Sequence, residues 1–172
     1  MDIVSKFTIA SDEGLHNLFV LKEAQIRGMY KDSVKKEQLD KYMKQQLDEK
    51  EAINDLNNLS TQMATVYINN TPAGYAIMRQ SVSRPEVLTN QKVINYSVFY
   101  IMPEHDHDET RNSLWNKCLS VTQRYDAIWI ELLQTDPLIP FLESCGFKIQ
   151  EQSQMKPFDK DSYILIRRRN ND

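Results

Sequence analysis

Between Asn95 and Trp115 the chain reads NYSVFYIMPEHDHDETRNSLW: an apolar stretch, one proline, a run of acid and histidine, then a helical pattern. Two chemistries are open to such residues. Imidazoles and carboxylates ligate metals, and His105 and His107, two apart, fall on one side of an extended chain beside Glu104, Asp106, Asp108 and Glu109. A ligand set needs convergence and supporting partners that one loop rarely supplies, so the plainer reading is a polar surface loop, and no metal is expected. The other chemistry belongs to the backbone. Where a strand runs into a helix, the free N–H groups of the first turn and the helix dipole favour an anion such as a phosphate. Here that cradle is filled with negative side chains. Arg111 stands against them in the first helical turn, and His105 and His107 can take protons in mild acid. Asp106 or Asp108 can instead cap the helix, taking the N–H bonds a phosphate would take.

The elements that position this junction follow from hydrophobic period. Ile3 to Ala10 alternates as a strand, Ser11 is an N-cap followed early by Gly14, and Leu15, Leu18, Phe19, Leu21, Ile26, Met29 and Tyr30 mark a helix. Ser33 is expected to cap one second helix with Leu39, Met43, Leu47, Ile53 and Leu56 on its apolar face and a solvated polar remainder. The period then changes. Residues 63 to 68 and 73 to 79 read as strands of a hairpin turned at Asn69-Asn70, with Gly74 signalling a bulge or a close backbone approach. Residues 81 to 90, with Pro85, form a loop, and 93 to 102 a central strand. Leu114, Trp115, Cys118, Leu119, Val121 and Tyr125 return to helical spacing, and 127 to 133 is another buried strand. A short helix over 137 to 145 stops at Gly146, and 147 to 152 and 163 to 168 supply two last strands. The order predicts one α+β domain over residues 1–172, with a mixed, mostly antiparallel sheet flanked by helices and one right-handed parallel crossover.

Bulk properties narrow the classes. At 172 residues the chain can bury a sizeable core, and 41% hydrophobic with 26% charged residues describes a globular protein. A net charge of −3 gives no general field for nucleic acid, and the terminal run Arg167-Arg168-Arg169 reads as a solvated strand end. The first residues carry no signal-peptide pattern, and no apolar run approaches the roughly 20 residues a membrane span requires. Cys118 and Cys145 sit far apart in apolar patterns, which favours reduced core thiols and a cytoplasmic location over a nucleophile or metal ligands.

This order, with two segments inside it, resembles the GNAT N-acetyltransferase superfamily. Tyr100-Ile101-Met102-Pro103-Glu104, with the loop and helix after it, is similar to the family's fourth strand and acetyl-CoA pyrophosphate loop. Phe141-Leu142-Glu143-Ser144-Cys145-Gly146-Phe147 is similar to its closing helix, usually Phe-Tyr-Glu-Lys-X-Gly-Phe, with Glu131 and Thr135 in the strand and loop before it. The resemblance implies acetyl-CoA as co-substrate, bound by Tyr100, Met102, His107, Asp108, Glu109, Thr110 and Arg111, a small or peptide amine as acceptor, and a homodimer by family habit. The family's loop usually reads Arg/Gln-X-X-Gly-X-Gly/Ala; here the Arg position is Asp106, the glycines are Glu109 and Arg111, and a further common glycine is His107. The closing-helix tyrosine, the usual proton donor to the leaving thiolate, is Leu142, so Tyr96, Tyr100 or a water would have to replace it. Glu131 is a candidate base if it points into the cleft and a structural residue otherwise. No catalytic residue is assigned. Two readings remain open: an acyl-CoA-dependent N-acetyltransferase, and a non-catalytic module of the same fold that binds another ligand or a protein.

Overall fold

The computed structural model describes residues 1–80 and 82–169; Ser81, the first residue of the expected loop, lies outside them. One seven-stranded sheet runs through the molecule in the order β1-β2-β3-β4-β5-β7-β6. Its strands are β1 (Ile3–Phe7), β2 (Thr61–Ile68), β3 (Thr71–Arg79), β4 (Val93–Ile101), β5 (Ala127–Leu133), β6 (Lys148–Met155) and β7 (Lys160–Arg168). The helices α1 (Asp12–Tyr30), α2 (Lys36–Gln46) and α3 (Glu49–Leu56) precede β2, α4 (Asp108–Thr122) joins β4 to β5, and α5 (Ile139–Ser144) follows β5. Every pairing is antiparallel except β4 with β5. The mixed α+β architecture read from the sequence is therefore the one the chain adopts.

Two faces are buried, and strand alternation decides what goes to each. Ile128, Ile130 and Leu132 of β5, with Ile94, Tyr96 and Phe99 of β4, pack on Leu114, Trp115 and Cys118 of α4 and Leu142 of α5. On the other face Tyr75 and Ile77 meet Leu18 and Leu21 of α1, and Ile26 and Tyr30 meet Leu39 and Met43 of α2. A register shift between Ile77 and Met78 leaves Ser97 as an extra residue of β4, which is why Tyr96 and Phe99, three apart, share one face.

Several local signals act as expected. Ser11 Oγ accepts the Gly14 N–H at 3.0 Å and starts α1. Asn69 and Asn70 both take positive φ, as a two-residue hairpin turn requires. Gly74 lies where an added Cβ would stand 2.5 Å from the Tyr100 carbonyl oxygen, and the register against β2 leaves the adjacent Ala73 as an extra residue of β3, so close approach and bulge coincide. Gly146 ends α5 at φ 99°. The expected single helix after Ser33 is instead two. Ser33 caps nothing; its carbonyl accepts from Lys160 Nζ at 3.0 Å. The chain breaks at Leu47-Asp48 because the Asp48 carboxylate accepts the Glu51 N–H at 3.0 Å, which makes a fresh N-cap inside an apolar period that alone would have continued.

Candidate active site: a fork between two strands and the cavity beneath it

β4 and β5 pair through Val93↔Ala127, Ile94↔Ile128 and Asn95↔Trp129, and then separate. From Tyr96 to Ile101, β4 keeps β3 on one side and, among the described residues, has no strand on the other. The last rung is held by Asn95, buried at 7% exposure, whose Nδ2 donates to the Trp129 carbonyl at 3.1 Å while its Oδ1 accepts from Ser97 Oγ at 2.6 Å. Nothing in the sequence marks Asn95 as special; only its place at the fork does.

A cavity of about 350 Å³ opens beneath the fork on the α1–α2 face. Trp129 and Glu131 of β5 and Asn95 and Ser97 of β4 form its floor, with Met29, Tyr30 and Tyr42 on one wall and Met155 and Lys156 on the other. Phe158, in the β6–β7 turn, closes that wall by meeting Tyr30 and Tyr42 edge-on at 4.9 and 5.3 Å. Glu131 points into this space. Its Oε2 accepts from Ser162 Oγ at 2.7 Å, which fixes the carboxylate, and Oε1 has no partner among the described residues. The phenol of Tyr30 is pushed up to about 12 by burial, with Tyr42 and Glu131 adding to it, so it keeps its proton at neutral pH.

At the far end of β4, Pro103–His105 form one 3-10 turn and the chain enters α4 through His107. The expectation that Asp106 or Asp108 caps α4 fails. The cap position is His107, which makes no side-chain hydrogen bond, and the first helical bond runs from Arg111 N–H to the His107 carbonyl. The N–H groups of Asp108, Glu109 and Thr110 are thus without intrahelical partners. Asp106 does not cap because it is held by Arg111, whose Nε donates to its Oδ1 at 2.5 Å; the carboxylate is only 15% exposed and the guanidinium 23%. Arg111 also reaches Asp108 at 3.3 Å and lies 6.0 Å from the Phe141 ring centroid. The Asp108 side chain is 87% exposed and Glu109 is exposed too, so both acids stand in water beside the helix start. Thr110 is fully buried, and its Oγ1 has no partner among the described residues.

The other sequence candidates fall as follows. Tyr100 and Met102 pack with Val98 over Tyr75 on the α1 face; burial and the Glu104 charge push the Tyr100 phenol up to about 12. Tyr96 cannot replace the missing tyrosine: its ring lies on the opposite face among Trp115 and Phe147, and its hydroxyl is 2.7 Å from Thr122 Oγ1. Burial holds that phenol well above its usual range. Leu142 is wholly buried in the same cluster. Arg167 is not simply solvated, since it donates to the Cys145 carbonyl at 2.9 Å and stands over Trp115. Sequence reasoning missed Lys22, Arg79, Asn95, Trp129 and Lys156 of the cavity, which come from α1, β3, β4, β5 and the β6–β7 turn and share no local signal.

No protein-family profile matches the sequence. No curated protein matches it either. Solved structures do. A PaiA N-acetyltransferase from Thermoplasma acidophilum, in complex with coenzyme A, superposes at a TM-score of 0.76 over 98% of this chain and 99% of its own, with 12% identity. An acetyltransferase from Streptococcus agalactiae matches at 0.68 with 17% identity over 96% and 98% of the two chains. A probable acetyltransferase from Staphylococcus epidermidis matches at 0.70 with 11% identity over 98% and 100%. The fold is therefore the GNAT fold, as the sequence resemblance implied.

Proposed function

We propose that this protein transfers an acetyl group from acetyl-CoA to an amine held in the cavity beneath the fork. The observation that carries the reading is the fork itself: an unpaired β4 edge that begins at a cavity holding a fixed carboxylate and ends at an uncapped helix start. Acetyl-CoA supplies an activated thioester and a pyrophosphate. The N–H groups of Asp108, Glu109 and Thr110 are free for that pyrophosphate, and His107, with no capping bond of its own, lets the loop close on it. Glycine is absent from the loop, but the acids do not fill the cradle. Asp106 is neutralised by Arg111, and Asp108 and Glu109 stand exposed to water, where about 1 kcal/mol per like-charge pair applies rather than the larger dry value. Tyr100 and Met102 flank the β4 edge along which the pantetheine arm would pair, as a strand pairs with an exposed edge.

At the reacting end, Glu131 is the base. Its Ser162-oriented carboxylate accepts the proton the amine loses, directly or through one water, as the nitrogen bonds to the acetyl carbon. A β4 backbone N–H near the Ser97 irregularity is the donor available to the oxyanion. The carbon–sulfur bond then breaks, and the departing thiolate takes its proton from water, because neither Leu142 nor Tyr96 can give one. Support for acetyl-CoA comes from the coenzyme A in the Thermoplasma acidophilum structure of the same fold. Among the described residues no helix is long and apolar enough to cross a membrane.

The test is the release of free thiol from acetyl-CoA in the presence of a panel of primary amines. Amine-dependent release is expected, and Glu131→Gln should slow it. Failure of every amine, or an unaffected Glu131→Gln, would remove the reading.

A further inference from the structure

Of the three cations that line the cavity, Arg79 is paired with Asp55 and Lys156 with Asp159, which leaves Lys22 as the one without a bonded partner among the described residues. Glu131 is the carboxylate lining it, against Lys22, Arg79 and Lys156. Arg79 is clamped, both its terminal nitrogens on the carboxylate of Asp55, with Nη2 to Oδ2 at 2.6 Å, which fixes where its charge stands. Lys22 is half-buried between this cavity and a second one lined by α3, and it has no hydrogen bond or ion pair among the described residues. Burial first and the Arg79 charge second lower its pKa, and Asp55 and Glu51 offset this only in part. Asp55 and Glu51 act on this ammonium through space, and no acceptor is bonded to it among the described residues. Trp129 repeats the pattern: the residue lines both this cavity and a neighbouring one, and its buried Nε1 donates to nothing among the described residues. Glu131 Oε1 is the complementary vacancy, an acceptor waiting for an N–H.

We infer that the acceptor is an amine that also carries an anionic group, a carboxylate for choice, with the amine at Glu131 and the anion on the Lys22–Arg79 side. The inference rests on the acetyl-transfer reading of this cavity. Met29, Tyr30, Tyr42 and Met155 give the remaining wall a thioether and aromatic character, so the body of the acceptor is apolar or aromatic. A polyamine would set a second cation against Lys22 and would leave its ammonium without an acceptor, so this class is selected against.

The experiment uses acceptors that differ by the carboxylate alone: phenylalanine against phenethylamine, and 6-aminohexanoate against hexylamine, with spermidine as the polyamine. Two measurements are made on the full chain: kcat/KM for acetylation, and calorimetric binding to protein saturated with CoA. In at least one pair the carboxylated member is expected to lead by tenfold or more in kcat/KM, and spermidine to be the poorest. Lys22→Met should cut that lead to below threefold, while Lys44→Met, an exposed lysine on α2, leaves it intact. Equal or better use of the plain amines in both pairs, or a lead that survives Lys22→Met, would overturn the inference. If nothing is acetylated, binding separates the two claims. Preferential binding of the carboxylated member upholds the anionic subsite and removes the acetyl-transfer reading, whereas no preference removes the subsite.

Discussion

The two ends of the β4 edge handle charge in opposite ways. The loop and first turn that open α4 carry four acids in six residues, yet the structure disperses them: Asp106 is bonded to Arg111, and Asp108 and Glu109 turn to water. The cavity at the fork is drawn from sequence with no visible charge pattern, yet it collects Lys22, Arg79 and Lys156; Asp55 pairs Arg79, Asp159 pairs Lys156, and Lys22 has no bonded partner among the described residues. A run of charge along the chain therefore says little about the field at a site. What decides is whether each charge finds a partner and how far it is desolvated.

Perturbing each end separately sharpens that contrast. The largest effect is expected from Glu131→Gln at the cavity: a loss of about 10²–10⁴ in kcat, the usual worth of a positioned base. Acetyl-CoA binding should be unchanged, and steady-state kinetics beside calorimetry checks both.

Asn95→Ala comes next. It strips the Trp129 carbonyl and Ser97 hydroxyl of their partner and should cost about 1–3 kcal/mol in chemical denaturation. A loss below about 0.5 kcal/mol would mean the fork is held by the ladder alone.

At the loop end, Asp136 lies behind the acids, its pKa raised to about 6 by burial and the Asp106 charge against a stabilising bond from Leu138 N–H at 2.9 Å. A raised carboxyl favours the protonated folded state, so its contribution is whole below about pH 4 and lost as pH climbs through about 6. Asp136→Asn keeps an acceptor for Leu138 and should therefore stabilise at pH 7, on the order of 1–2 kcal/mol, and change little at pH 4. A gain that does not grow with pH would show that the carboxyl is solvated.

The smallest effect is His107→Asp. A cap on α4 should add about 0.5–1 kcal/mol of stability while weakening acetyl-CoA, because the new carboxylate occupies the same N–H groups. Higher stability with unchanged affinity would place the pyrophosphate elsewhere.

Much of the fold could be read from the chain because its signals are local. Residues 127 to 133 alternate between two buried faces and form β5 over that span, Asn69-Asn70 and Gly146 demand positive φ, and Ser11 caps α1. The break at Asp48 was hidden because the apolar period runs across it and only a capping bond interrupts the helix. The site was legible at the loop and opaque at the cavity. Pro103 to Arg111 is one segment, whereas Lys22, Arg79, Trp129 and Lys156 meet only after α1, β3, β5 and the β6–β7 turn have packed. Even at the loop, residue types misled: Asp106 looks like a cap and Arg111 like a free phosphate ligand, and the two are bonded to each other.

The central claim, that the α4 start and the open β4 edge together hold acetyl-CoA, is tested most directly by thermal unfolding with millimolar acetyl-CoA or acetyl-pantetheine, which lacks the pyrophosphate and nucleotide. At 100 times its dissociation constant acetyl-CoA adds about 2.7 kcal/mol, a rise of about 5–10 °C for a chain of this size. The account predicts that rise with acetyl-CoA and a clearly smaller one with acetyl-pantetheine. No shift with either, or equal shifts with both, would contradict it.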